Sequence, residues 1–516
     1  MLTRNNNQDL YLINSGGKSV SSGGGTTRNP GAFTVYLAAS GNDNNSGITL
    51  DKPILTWEKA ISLFRTKSYD EFVLNISDDV EYLDITTPIK NEKLDTDRVD
   101  IGIDLTRLTS LCNVFRFLGN PITKKYTSGS YSASFYDILS LGGKTSINFS
   151  GSRKSIIVSN TEQYNDVKMA YQVYTNGDIT YNKYYPITYI ENDRYRTTQT
   201  TLNESLDIYL CGGNSTPFTK LVNISDATSK CEVLADCHVI FERLEFTDVS
   251  EDIKNIEIVS SYAPTLKFIG CIISDNFSYI DQNSGEIYIK ESYISKEISL
   301  YNSSNITLYK CLLTTPELSS IIIQNCRNII LDTCIVRGYA LKCLDDTSLM
   351  LKGTSIISLS ETSIKLIVDA SKLIVDRAGY IGLEFVIDSN STYIDGNGGS
   401  DYYLSSPIKL SNVSTFIFDK FNVHISIDHD NVAEICNRSN FIIKEVSGYT
   451  LTSNNTLFLL RSGSTLIAPV GLTNGGIGNN VYRKGTLEPV TTLSVDDIDI
   501  SNSNSEAAFA LISRTS

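Results

Sequence analysis

Residues 328–336 read NIILDTCIV, residues 348–356 read SLMLKGTSI and residues 372–380 read KLIVDRAGY. Each places apolar residues at its second and fourth positions, polar residues at the fifth and sixth, and a small residue at the seventh. The same pattern is visible in HVIFERLEF from His238, TLKFIGCII from Thr265, EIYIKESYI from Glu286 and NITLYKCLL from Asn305. It continues in TFIFDKFNV from Thr415, NFIIKEVSG from Asn440 and TLIAPVGLT from Thr465, and in STYIDGNGG from Ser391 with Thr392 breaking the apolar second position. Alternation at period two is a strand with one face on a core. One such strand roughly every 23 residues is too sparse for a meander, whose strands recur about every 8 to 12 residues. The spacing predicts a solenoid of stacked coils, each holding two or three short strands paired in parallel with those of the next coil.

The 516 residues carry 44 Lys and Arg against 58 Asp and Glu, a net charge of −14. That balance argues against nucleic acid and against an anionic membrane surface. No apolar run approaches the length of a membrane span, and the first 19 residues contain no apolar signal core, which argues against Sec-type secretion. Ten cysteines show no paired metal spacing. Cys271, Cys311 and Cys334 fall at the small seventh position, so they are expected to form an interior ladder of reduced thiols. No cofactor fingerprint is present.

Near the start, residues 35–64 read VYLAASGNDNNSGITLDKPILTWEKAISLF. This stretch resembles the first coil of the right-handed parallel β-helices of bacteriophage tailspikes and tail fibres. Those read strand, G-x-D-x-N-x-G, a gap, Pro, an apolar residue, Thr and a helix ending in Ala-Ile. The counterparts are Tyr36, Gly41, Asp43, Asn45, Gly47, Pro53, Leu55, Thr56, Ala60 and Ile61. An open coil end needs a lid. Trp57, Ile61 and Phe64, at i, i+4 and i+7, supply one apolar helical face for it. The expected fold is therefore all-β: a right-handed single-stranded parallel β-helix, pectin-lyase-like, with an N-terminal capping α-helix and a β-rich insertion.

The expected organisation has five parts. Residues 1–33, rich in Asn, Gly and Ser, form a flexible particle-attachment segment, and 34–160 hold the capping helix and first coils, including SINFSGSRKSIIVSN from Ser146. Residues 161–235 lose the coil period and crowd tyrosines, among them Tyr164, Tyr171, Tyr174, Tyr181, Tyr184, Tyr185, Tyr189 and Tyr195, as an inserted excursion would. Tyrosine-rich surfaces suit sugar or protein contact as well as ordinary packing. Residues 236–475 continue the coils and 476–516 make a C-terminal cap or tail.

At the outward fifth position, Asp376, Asp395 and Asp419 fall on three consecutive coils in this register, which depends on the start chosen at Ser391. Carboxylates about 5 Å apart are spaced as in a retaining glycosidase, and a divalent cation could also bridge them, although a solvated charged face is the ordinary reading of such a column. His424 and Asp428 share one strand face and could give two metal ligands, which is too few for a site. The resemblance implies a virion protein of a phage tail: a homotrimer attached to other tail or baseplate proteins, assembled in the host cytoplasm and contacting a host-surface glycan. The same solenoid also carries enzymes, so a depolymerase cleaving host polysaccharide, by hydrolysis or as a lyase, is the alternative.

Overall fold

The computed structural model describes residues 28–84, 87–89, 100–105, 108, 111–134, 138–140, 146–148, 154–158, 164–177, 179–191, 194–197, 202–222, 231–235, 237–246, 256–260, 265–273, 277–280, 286–295, 298–314, 320–338, 340–358, 364–396, 401–404, 406–425, 431–450, 456–460, 464–469, 480–482 and 511–515. Three parallel sheets run the length of a solenoid. The first sheet stacks Asn29–Leu37, Tyr69–Ile76, Val114–Gly119, His238–Glu242 and Thr265–Ile269, and continues coil by coil to Thr465–Pro469 and Leu511–Thr515. Within it Val239, Leu266, Ile287, Ile306, Ile329, Leu349 and Leu373 are successive register partners. All seven are buried in one continuous core. The alternation in the sequence is thus the inside of a coil repeated at the spacing of paired strands.

Two corners hold each coil. After the first sheet the chain turns through residues with positive φ: Arg243, Gly270, Glu291, Lys310, Thr333 and Gly353. A side chain in this left-handed region costs about 1–2 kcal/mol. The stack offsets that cost, because each corner N–H donates to the next coil, as Glu291 does to the Tyr309 carbonyl at 2.8 Å and Thr333 to that of Lys352 at 2.7 Å. The following residue points inward. Leu244, Cys271, Ser292, Cys311, Cys334 and Thr354 occupy this column, all buried. The thiols of Cys271, Cys311 and Cys334 each donate to a carbonyl of the preceding coil, at 3.3–3.4 Å.

The corner between the third and first sheets has its own ladder. Cys326, Thr347, Ser371, Ser391, Ser414 and Ser439 are buried in one column. Each backbone N–H from Cys326 to Ser414 donates to the side-chain oxygen of the next member, at 3.1–3.2 Å. Small hydroxyl residues satisfy backbone donors that a coil corner would otherwise bury unpaired.

The helix Trp57–Phe64 is held at its N-terminus by Asp43, whose carboxylate accepts from the Leu55 and Thr56 N–H groups and from the Thr56 hydroxyl. Its covered face is Trp57, Ala60 and Phe64, while Ile61 is half-buried at the edge of the same core. Trp57 lies against Phe115 and Phe117, with ring centroids 6.1 and 5.5 Å away, and Phe64 stacks on Phe72 at 4.9 Å.

Several boundaries differ from the expectation. The strand Asn29–Leu37 already includes residues assigned to the flexible segment, because Phe33 stacks on Tyr69 and pairs with Phe72; residues 1–27 lie outside the described residues. The stretch from Ser146 is not an early coil. Lys154–Val158 pairs antiparallel with Tyr131–Ser134 and Arg194–Thr197, and Ser146–Asn148 pairs antiparallel with Ile138–Ser140. The excursion therefore runs from Lys124 to Cys211, as a seven-stranded antiparallel sheet. Lys220–Val222 and Cys231–Leu234 have already rejoined the coils. At the other end, Asn480–Tyr482 and Leu511–Thr515 are coil strands too, so stacking reaches beyond residue 475, and the remainder of 476–516 lies outside the described residues.

Candidate functional site

The excursion leaves one corner of the solenoid after Gly119 and rejoins the second sheet at Lys220. Its strand residues alternate between two cores. Tyr185, Ile187, Ile208 and Leu210 fill its own interior. Met169, Tyr171, Tyr184 and Cys211 face the solenoid and pack on Ile272, Tyr293, Leu312 and Ile335. Those four are register partners on the outer side of the second sheet, and the next member of the column is Ser355. The apolar outer column thus has its counterpart in the docked sheet.

A polar lock accompanies this contact. Tyr184 donates its hydroxyl to Glu242 at 2.6 Å and its N–H to Glu291 at 3.0 Å. Arg116 bridges Glu71 and Glu242 at 2.7 and 2.6 Å. Burial disfavours the charge on Arg116, but Glu242 and Glu71 outweigh it and hold its pKa above the ordinary value. Burial, and then the Glu242 charge, push the Tyr184 phenol well above its usual range, so it stays a hydrogen-bond donor. Gly270 lies directly beneath the Tyr184 ring.

The hairpin Met169–Asn176 with Ile179–Glu191 carries a partly exposed pair of tyrosines. Tyr174 and Tyr181 are partners across it and stack with centroids 5.6 Å apart and planes 10° apart. The Lys183 ammonium sits over Tyr174 and Tyr185, and Ile179 is 59% exposed beside them. The base of the pair is fixed by buried Gln172, whose side-chain carbonyl accepts from the Tyr174 and Tyr185 hydroxyls and whose amide donates to that of Tyr131. Two tyrosine faces, a cation and hydroxyls on a rigid base can stack on a sugar ring and bond its hydroxyls.

A second concavity, of about 540 Å³, lies on the corner between the third and first sheets, lined by Tyr301, Asn302, Gln324, Asn325, Asp345, Asp346 and Ala370. Asn325 donates to Asn302 at 2.7 Å, so the amides form a short ladder along its floor. Asp346 is engaged by Arg327. These corners look like ordinary polar turns in the sequence, and only stacking makes them a groove.

The three carboxylates expected on one outer column are not brought together. Asp376 pairs with Gly396, and Asp395 pairs with Val375 on one side and Phe418 on the other. Asp395 therefore occupies an inward position and is fully buried. Ser391 belongs to the serine ladder, so the repeat in that coil starts at Thr392, one residue later than the sequence reading placed it. Asp419 is half-exposed and paired with Lys444 at 3.2 Å. His424 lies in the strand Thr415–Ile425 opposite Tyr403 and Thr450, and Asp428 lies outside the described residues. No group of three metal-binding side chains occurs among the described residues.

No protein-family model and no curated protein sequence matches the chain. Among solved structures, a glycoside hydrolase is similar over 80% of this chain and 96% of its own, at 9% identity and a TM-score of 0.29. A tailspike protein of Pseudomonas phage LKA1 is similar over 83% and 71%, at 8% identity and a TM-score of 0.21. The tailspike of Acinetobacter baumannii bacteriophage AP22, solved with A. baumannii capsular saccharide, is similar over 77% and 69%, at 9% identity and a TM-score of 0.19.

Proposed function

We propose that this chain is a structural virion protein of a bacteriophage tail, of the tail-fibre or tailspike type, that holds a glycan-contacting unit on a stiff shaft. In this reading it assembles as a homotrimer, joins its particle through the N-terminal segment and meets the host surface through the excursion. The observation that carries it is the anchoring of the Tyr174–Tyr181 hairpin. An aromatic platform with an adjacent lysine is built on a sheet locked to the solenoid by Tyr184, Glu242 and Glu291. The first-coil motif from Tyr36 to Ile61 supports the same reading. The test is binding of the purified chain to capsule and lipopolysaccharide from candidate hosts. Tyr181→Ala is expected to remove one stacking face and weaken binding at least tenfold, which is about 1.4 kcal/mol, with unchanged melting. Absence of binding to every envelope polysaccharide of a host that the parent particle infects would reject the reading.

One observation favours the depolymerase alternative. Asp376 and Asp419 lie two coils apart on one outer column with Gly396 between them, a Cα separation of about 9.6 Å from strand spacing. That Cα spacing is just above the roughly 6.5–9.5 Å that separates the carboxyl groups of inverting glycosidases. Release of reducing ends from host polysaccharide, abolished by Asp376→Asn and by Asp419→Asn, would establish it.

A further inference from the structure

On the outer side of the first sheet, one column changes character part-way along the solenoid. It reads Arg116, Ile240, Lys267, Tyr288 and Thr307 in the earlier coils. It then reads Ile330, Met350, Ile374, Ile394, Ile417, Ile442 and Ile467, each the register partner of the next. All seven are partly exposed. Strand pairing spaces them about 4.8 Å apart, so the stripe is about 29 Å long.

The flanks favour an apolar partner. On one side lie Lys372, Thr392, Thr415, Asn440 and Thr465. On the other, Asp332 pairs with Lys352 at 3.0 Å and Asp419 with Lys444 at 3.2 Å. These charges are matched along the solenoid itself, so they demand no counter-charge from a partner. Counting the polar columns that flank it, the face covers on the order of 600 Å² from strand spacing and rise, approaching the roughly 800 Å² each partner contributes to a stable interface.

The stripe holds no aromatic ring and no side-chain donor, so it offers a sugar little. Its regular pitch is the informative feature. A surface that repeats every coil over seven coils is matched rung for rung by another solenoid of the same pitch, laid alongside with its axis parallel. We infer that the stripe from Ile330 to Ile467 is the surface by which copies of this chain associate. This deepens the proposed homotrimer by naming the face that turns towards its neighbours.

The test uses the full chain at micromolar concentration, with its mass read by light scattering or sedimentation. The wild type is expected at a multiple of 57.0 kDa. Ile374→Lys combined with Ile417→Lys is expected to give single chains with unchanged circular dichroism, because both side chains point away from the core. Should the double variant misfold, Ile394→Cys supplies the same answer: mild oxidation by a small-molecule disulfide exchanges with two such thiols to leave an interchain disulfide and reduced small thiols, read as a band of doubled mass without reductant. A wild type of single-chain mass overturns the self-association itself. An associated wild type whose double-lysine variant stays associated, with no Ile394→Cys cross-link, overturns only the choice of face, and the glycan-binding reading is untouched by either.

Discussion

Gly270 tests the docking of the excursion more sharply than any residue of the excursion itself. It sits at the left-handed corner with φ +58, and a Cβ built there would lie 2.5 Å from the Tyr184 ring. Gly353 occupies the same corner four coils later in the column, with φ +54, and its Cβ would meet only the Thr333 hydroxyl at 3.6 Å, an ordinary contact. Gly353→Ala therefore costs the left-handed backbone alone, about 1–2 kcal/mol. Gly270→Ala adds the displacement of a buried ring that cannot swing aside, since its hydroxyl and N–H are tied to Glu242 and Glu291. Overpacking of this kind costs about 1–3 kcal/mol, for a total of about 2–5 kcal/mol. Urea denaturation followed by tyrosine near-ultraviolet dichroism, with limited proteolysis of the native state, reads both substitutions. The Gly270→Ala chain should unlock the excursion at lower denaturant than Gly353→Ala, and adding Tyr184→Ala should remove part of the difference. Equal effects of the two alanines would refute the docking geometry.

Other expectations follow from the corners and the lid. Ser391→Ala leaves the Ser371 N–H without its side-chain acceptor and should lower stability by about 1–3 kcal/mol, whereas Ser391→Thr keeps the oxygen and should cost less; thermal melts compare them. At the helix end, burial works against ionised Asp43, but the Thr56 hydroxyl and the Leu55 and Thr56 N–H groups outweigh it and lower its pKa below 3.8. Asp79 is lowered likewise, with Ser40 and Ala39 outweighing burial. A depressed carboxyl stabilises the fold above its unfolded value and loses that contribution as pH falls through its folded one. The lid should thus loosen below about pH 3.8, seen as a red shift in the fluorescence of Trp57, the single tryptophan, and Asp43→Asn should show part of that shift already at neutral pH.

The coils are legible because apolar residues fill both inward positions of the first sheet in nearly every turn. The register at Ser391 is ambiguous in the sequence because Ile394 has the character of an inward residue while Asp395, a carboxylate, takes that place in the core. The serines preceding neighbouring coils, Ser371, Ser414 and Ser439, were the signal that fixes the register. The beginning of the excursion was hidden for a different reason. KSIIV from Lys154 alternates as a coil strand does, and period two does not distinguish antiparallel from parallel partners. Tyrosine crowding marked the unit, but pairing of Tyr174 with Tyr181, and the inward and outward division of Tyr184 and Tyr185, depend on hairpin register. The corner groove has no local signature at all, since its walls come from four separate turns.

The insertion point of the excursion bears on how the chain reaches its native state. Arg116 and Glu242 touch although they are 126 positions apart in the sequence, and the strands that carry them are neighbours in one sheet. Closing so long a loop adds little equilibrium cost, since the entropy grows only with the logarithm of length. It does delay the event, because distant pairing waits on what lies between. During synthesis the helix and the phenylalanines Phe64, Phe72, Phe115 and Phe117 can condense first. The downstream coils add to that template only after the chain of an entire separate sheet has been made.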